Sequence, residues 1–188
     1  AISFYGESKQ KNDELKKNQI QEVKINTKNY ESIVNEKDLD KWLGYLNEQS
    51  VISVDTETSS LNPLEADLIG ISFSYATNKA CYIPLDHKNI KSLKKELVLE
   101  KIKPILEDAS IKKVGQNIKF DFLILNQNNI EITPIEDTML ISYTLDAGTN
   151  RHNLDTLSEI HLNHKTISYK ELVGTGKNKL NFSDIALE

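Results

Sequence analysis

The sequence predicts an α/β fold in which helices flank a mixed sheet, and three observations carry that prediction. Three apolar segments, "VISVDTE", "DLIGISFSYA" and "KACYIPL", follow one another across short turn-like connections and read as a β-meander. After the meander, helical and extended patterns alternate, as they do when helices cover a sheet. The 188 residues, 38% hydrophobic and 27% charged, suffice for one full core and fall short of two ordinary domains.

Taken in order, residues 1–22 are mostly polar and charged without an apolar stripe, and read as a linker or flexible N-terminal segment. Ordered structure is expected from Val23, with Tyr30 to Val34 as a short edge strand. In "NEKDLDKWLGYLNEQ", Asn35 is placed to cap a helix whose Leu39, Trp42, Leu43 and Leu46 fall at i, i+3, i+4 and i+7. The meander follows, then a helix over "SLKKELVLEKIKPILED" expected to be disturbed near Pro104. "KKVGQN" is a further short strand, and "IKFDFLILNQN", "EDTMLISYTLD" and "NLDTLSEIHL" are three helices. "NFSDIALE" is expected to open a last helix, capped by Asn181 or Ser183. Trp42 and Cys81 sit on apolar faces and read as core.

Composition also limits function. No apolar run approaches the ~20 residues needed to cross a bilayer, so no membrane partner is expected. The N-terminus lacks an export pattern, and Cys81, the single cysteine, fits a reducing cytoplasm. A net charge of −5 argues against gripping nucleic acid by bulk electrostatics. It still permits a nuclease, because bound cations can neutralise a carboxylate-lined site locally.

The strongest chemical signal is "VISVDTETSSLNP". Side chains alternate along a strand, so Asp55 and Glu57 project from one face, their bases roughly 6.5–7 Å apart. Spacing alone leaves two readings open, a metal site and a solvated strand end. Asp121 in "VGQNIKFDFLIL" occupies the first turn of a helix, where the macrodipole alone would favour an acid. Were it to join the first two, charges ~5.5 Å apart would repel by ~3 kcal/mol per pair at an effective dielectric near 20. Such a cluster stays ionised only around divalent cations, and hard oxygen ligands select Mg²⁺ or Mn²⁺. Sequence spacing cannot bring Asp121 to Asp55; only a fold can.

The strings "DTETSSLNPLEADLIGISFSY", "VGQNIKFD", "DTMLISYTLD", "HKTISYKEL" and "GTGKNKLNF" resemble the 3′→5′ proofreading exonuclease domains of family A bacterial DNA polymerases. These belong to the DEDD exonuclease superfamily. The resemblance runs over residues 23–188, and the last two strings make it far more specific than D-x-E alone. It implies a ribonuclease H-like fold with a mixed five-stranded sheet flanked by helices. It also implies a cytoplasmic hydrolase of DNA replication and repair that uses Mg²⁺, with Mn²⁺ or Zn²⁺ as substitutes. The substrate would be a single-stranded or frayed 3′ end of DNA. Within the same polypeptide the partners would be a polymerase domain and a 5′ nuclease domain.

Residue by residue, the resemblance makes Asp55 a bridge between two ions and gives Glu57 the tighter one. Asp121 would hold the second ion largely through water. Leu61 would wedge against the terminal base, Gln116, Asn117 and Arg151 would hold the strand, and Tyr169, where the family commonly has Phe, would pack on a nucleotide. The family's third motif, a Tyr followed by an Asp on a final helix, is expected just past Glu188, so the domain reads as cut before it. Asp137, Asp155 and Asp184 do not replace it by pattern; each lies at or near a helix start and is expected in a capping or dipole-stabilising role. Two other readings stay open: a catalytically silent structural or DNA-binding fragment, and a phosphatase, which would need a second Asp in place of Glu57. His161 and His164 lack a convincing third zinc ligand. Lys177 and Lys179 read as a solvated loop that could touch DNA.

Overall fold

The meander sits at the centre of the sheet because its strands carry the longest apolar runs. In a computed structural model, which describes residues 26–176 and 179–186, β1 (Tyr30–Ser32), β2 (Val51–Thr58), β3 (Leu68–Ala76), β4 (Lys79–Pro84), β5 (Lys112–Gly115) and β6 (Ile135–Asp137) form one mixed sheet. The strand order is β1-β4-β3-β2-β5-β6. Strands β2, β3 and β4 pair antiparallel, while β1 joins β4, β5 joins β2 and β6 joins β5 in parallel. The expected linker over residues 1–22, and the start at Val23, lie outside the described residues.

Alternation along β2 decides which side of the sheet is core. Ile52, Val54 and Thr56 are buried, while Asp55 and Glu57 face the other way. Against the buried face pack Leu39, Trp42 and Leu46 of α1 (Glu36–Asn47), and Val98, Ile102 and Leu106 of α2 (Lys95–Glu107). Ile124 and Leu125 of α3 (Lys119–Gln127) complete the cluster. The cap of α1 is the expected one, the Asn35 side chain accepting a hydrogen bond from the Asp38 N–H. Trp42 and Cys81 are core, as their apolar faces imply. Among the described residues no helix is long and apolar enough to cross a membrane.

Five details depart from expectation. The sheet has six strands rather than five, because Ile135–Asp137 pairs with the free side of β5 before α4 (Thr138–Leu145) begins. Three residues are too few to show an alternation. The edge strand closes at Ser32, although the Ile33 N–H still reaches the Tyr82 carbonyl. Helix α2 runs through Pro104 to Glu107, since the residue sits in the last turn, where little helix remains to break. After α5 (Leu154–Leu162) a short helix α6 (Tyr169–Val173) appears, opened by a capping box between Ser168 and Glu171. The expected last helix is a 3₁₀ turn, Phe182–Asp184, capped by Asn181 and ended by extended backbone at Ile185.

One buried cation ties the sheet to its surroundings. Lys113 of β5 is fully buried, and its ammonium donates to the carbonyls of Asp108 (2.7 Å) and Thr133 (2.6 Å). Desolvation lowers its pKa, the nearby Asp108 charge opposing. The two carbonyls compensate that cost, and they anchor the segment after α2 and the one before β6. Lys113→Met removes both hydrogen bonds, taking the ammonium from the Thr133 carbonyl and leaving the Asp108 carbonyl with the Ile111 N–H. We expect a loss of about 1–3 kcal/mol in urea unfolding, against a few tenths for the exposed Lys37→Met.

Candidate active site

The cleft forms where β2 outruns its neighbour. Strand β5 pairs with Val51, Ile52 and Ser53 only, so the β2 backbone beyond that point has no strand on this side. A tight turn, with Asn117 in the left-handed region at φ 57°, leads from β5 into α3. That turn brings Asp121, in the first turn of α3, against the exposed stretch of β2. Its Oδ1 accepts hydrogen bonds from the Thr56 N–H (2.8 Å) and the Thr56 hydroxyl (2.6 Å). Asp121 thus takes the place of the missing ladder partner.

Asp55, Glu57 and Asp121 line a single cleft of about 650 Å³, together with Leu61, Gln116, Asn117, Phe120, Tyr169 and Lys179. Crowding shows in the acidities. Asp55 is pushed up to about 7, by burial first and by the Asp121 charge second, although the residue keeps contact with solvent. Glu57 is likewise pushed up to about 7 by burial, then by Asp55 and Asp121. Burial also raises Asp121, against the pull of the two Thr56 hydrogen bonds. Three carboxyls that resist ionisation together are what a depleted cation site looks like.

The other expected residues are distributed unevenly. Leu61 is 94% exposed at the rim, so it is not core. Gln116 is held at both ends, its Nε2 donating to the His152 carbonyl (2.7 Å) and its Oε1 accepting from the Thr138 hydroxyl (2.5 Å). Asn117 gives its backbone N–H to Asp137 Oδ1. Tyr169 is half exposed, with the Lys179 ammonium 5.3 Å from its ring centroid. Arg151 does not line the cleft; it borders a separate groove with Met139, Leu140 and Tyr143, one residue from the His152 that holds Gln116. Lys177 lies outside the described residues.

Asp137 and Asp184 take capping roles, and Asp155 lies in the first turn of α5 without capping it. Asp137 caps α4, Asp155 accepts from the Thr166 hydroxyl, and Asp184 pairs with Lys88. His161 lines an apolar cavity of about 520 Å³ between α4 and α5. Among the described residues no three His, Cys, Asp or Glu side chains stand in a ready-made coordination cage. The Thr56 clasp explains why: it engages one oxygen of Asp121, leaving Oδ2 or a bridging water as that residue's route to an ion. The donor set itself, carboxylate oxygens in an acidic cleft, fits Mg²⁺ or Mn²⁺. Thr56 is the participant that sequence reasoning missed, since its side of the strand reads as packing alone.

The pattern of the 3′-5′ exonuclease family matches residues 30–187. The chain is 38% identical to DNA polymerase I of Rhizobium leguminosarum, a match covering 80% of this chain and 17% of that one. It is 37% identical to DNA polymerase I of Pseudomonas aeruginosa, over 85% and 18% respectively. The chain therefore spans less than a fifth of these relatives' length. The solved Escherichia coli RNase D, an exoribonuclease involved in structured RNA processing, superposes with a TM-score of 0.61 at 19% identity. That match covers 78% of this chain and 36% of that one, and shows a ribonuclease H-like fold.

The acidities give a signed prediction for metal-free protein. Where the folded pKa exceeds the unfolded one, stability falls as pH rises between the two and levels off above the folded value. For Asp55 that window runs from about 4 to about 7. In EDTA, Asp55→Asn should gain on the parent across this window by ~1–2 kcal/mol, less than the full shift because solvent screens an accessible carboxyl. Urea unfolding at pH 4.5 and pH 7.5 measures it, and the difference should not grow above pH 8.

Proposed function

The chain belongs to the 3′-5′ exonuclease family, and from that membership we propose that it is the proofreading exonuclease domain of a bacterial DNA polymerase I. On this reading it hydrolyses phosphodiester bonds from the 3′ end of single-stranded or frayed DNA, beside polymerase and 5′ nuclease domains of one cytoplasmic polypeptide. The observation that carries it is the meeting of Asp55, Glu57 and Asp121 in one cleft with the apolar Leu61 at its rim.

Asp55 and Glu57 would hold two Mg²⁺ ions, or Mn²⁺ or Zn²⁺ in their place, and Asp121 would reach the second through water. When bound, such ions make water nucleophilic at neutral pH and steady charge at phosphorus. The chain's own residues do the rest. Leu61 presents an apolar side chain on which the terminal base lodges and unstacks from its neighbour. The Tyr169 ring offers a stacking face, with the Lys179 charge placed for a phosphate. The Asn117 side chain is placed for the strand, while Gln116 can engage it only by exchanging present hydrogen bonds. Arg151 would have to swing from its own groove to reach the strand.

One observation favours the silent-fragment reading: the absence of a preformed coordination cage among the described residues. The two readings separate in an assay of 5′-labelled single-stranded DNA with Mg²⁺ or Mn²⁺. We expect slow stepwise shortening from the 3′ end, abolished by EDTA and reduced at least ~10²-fold by Asp55→Ala. No metal-dependent shortening would favour the silent reading.

Leu61 gives an independent check. In the same assay, Leu61→Ala should slow excision about fivefold to tenfold, as ~1–1.4 kcal/mol of lost apolar contact implies. Its melting temperature should stay within about a degree of the parent, because a side chain 94% exposed leaves no cavity.

A further inference from the structure

The face that carries the acidic pair also carries a tyrosine. Register pairs Glu57 with Gly70, and pairs Ser72 with both Asp55 and Tyr82. Residues in antiparallel register share a face, so Tyr82 stands on the Asp55–Glu57 side of the sheet. Its hydroxyl occupies the space that a side chain at Gly70 would fill: a Cβ there would lie 1.9 Å from Tyr82 Oη. Cross-strand Cβ positions are ~4.5–5.5 Å apart, which puts Oη at about that distance from the Glu57 Cβ and within one water of its carboxylate. The Glu57 charge acts on the phenol, raising its pKa after burial, the larger cause.

His87 fixes that hydroxyl. Tyr82 Oη lies 2.8 Å from His87 Nε2, and the rings meet edge to face at 5.7 Å and 86°. His87 is buried, and desolvation lowers its pKa, so the ring is neutral and carries one proton. The backbone of Ile185 favours a protonated ring, and Nδ1 makes no hydrogen bond of good geometry. With the proton on Nδ1, Nε2 accepts and the Tyr82 hydroxyl donates to it. The Phe182 ring, 6.0 Å away, and the pairing of Lys88 with Ser183 and Asp184 keep His87 in place. With its proton committed to His87, Oη offers only lone pairs. Beside a carboxylate, two acceptors are compatible only if a donor lies between them.

We propose that Tyr82, fixed over Gly70 by His87, is a positioning residue of the acidic cleft. Its Oη accepts a hydrogen bond from a water that donates a second one to the Glu57 carboxylate, leaving the other carboxylate oxygen free for a divalent cation. The inference rests on the nuclease reading above, and it adds to the metal ligands two residues that lie outside the acidic motifs.

Mn²⁺ binding to the 188-residue chain, followed by the electron paramagnetic resonance of free Mn²⁺, tests it. Tyr82→Phe keeps the ring and removes Oη. It should raise the Mn²⁺ dissociation constant about tenfold, in the range found when partners of ligating groups are lost, and should also lower the metal-free melting temperature by a few degrees, because the buried His87 Nε2 loses its partner. His87→Phe should have a similar effect on Mn²⁺ affinity, and the double variant should bind no more weakly than either single one, because His87 acts through Tyr82. Unchanged Mn²⁺ affinity in Tyr82→Phe, or additive losses in the double variant, would each overturn the positioning role and leave the nuclease reading standing. Mn²⁺ binding by the parent no tighter than by Asp55→Asn would overturn both.

Discussion

The mismatch in length between β2 and β5 is the constraint on which the site depends. A backbone N–H that leaves the ladder and is buried must find another acceptor, or it costs about as much as a lost hydrogen bond. The Thr56 N–H is in that position, because β5 pairs no further than Ser53, and Asp121 answers it. Satisfying one donor of the sheet thereby docks the N-terminus of α3 and draws a third carboxyl toward Asp55 and Glu57. The acid is held by the scaffold before any cation is present, and the scaffold is held by the acid.

This arrangement sets stability against function. Lengthening β5 would satisfy Thr56 by ordinary pairing and close the cleft. The open cleft instead keeps three carboxyls whose charges oppose one another. The apolar cluster on the opposite face, from Ile33 in the edge segment to Ile132 before β6, supplies the stability that tolerates them. Sheet alternation makes that division possible, with one face of β2 packed and the other chemical.

What could be read from the sequence follows from how local each signal is. Helix α1 was legible because its apolar period and its Asn35 cap lie within twelve residues of each other. The shared face of Asp55 and Glu57 was legible from alternation alone. The six-residue stretch that makes α6 carries Ser168 and Glu171 at capping-box spacing, a signal present but passed over. Strand β6 was not legible, since three residues beside a helix show no period and only the free side of β5 makes them a strand. The approach of Asp121 was legible only through family resemblance, because it depends on where a different strand stops pairing. The place of Arg151 outside the cleft had no local signal at all.

The packing of Trp42 has an optical consequence. It is the single tryptophan, buried in the core and flanked edge-on by Tyr75 at 5.3 Å and Tyr45 at 6.1 Å. Such an indole emits toward the blue, collects energy from the tyrosines around it, and shifts red only when water enters the core. It sits beneath the packed face of the sheet, and the carboxyls occupy the other. Its emission colour is therefore a gauge of whether the sheet and α1 are still together, largely blind to what occupies the cleft.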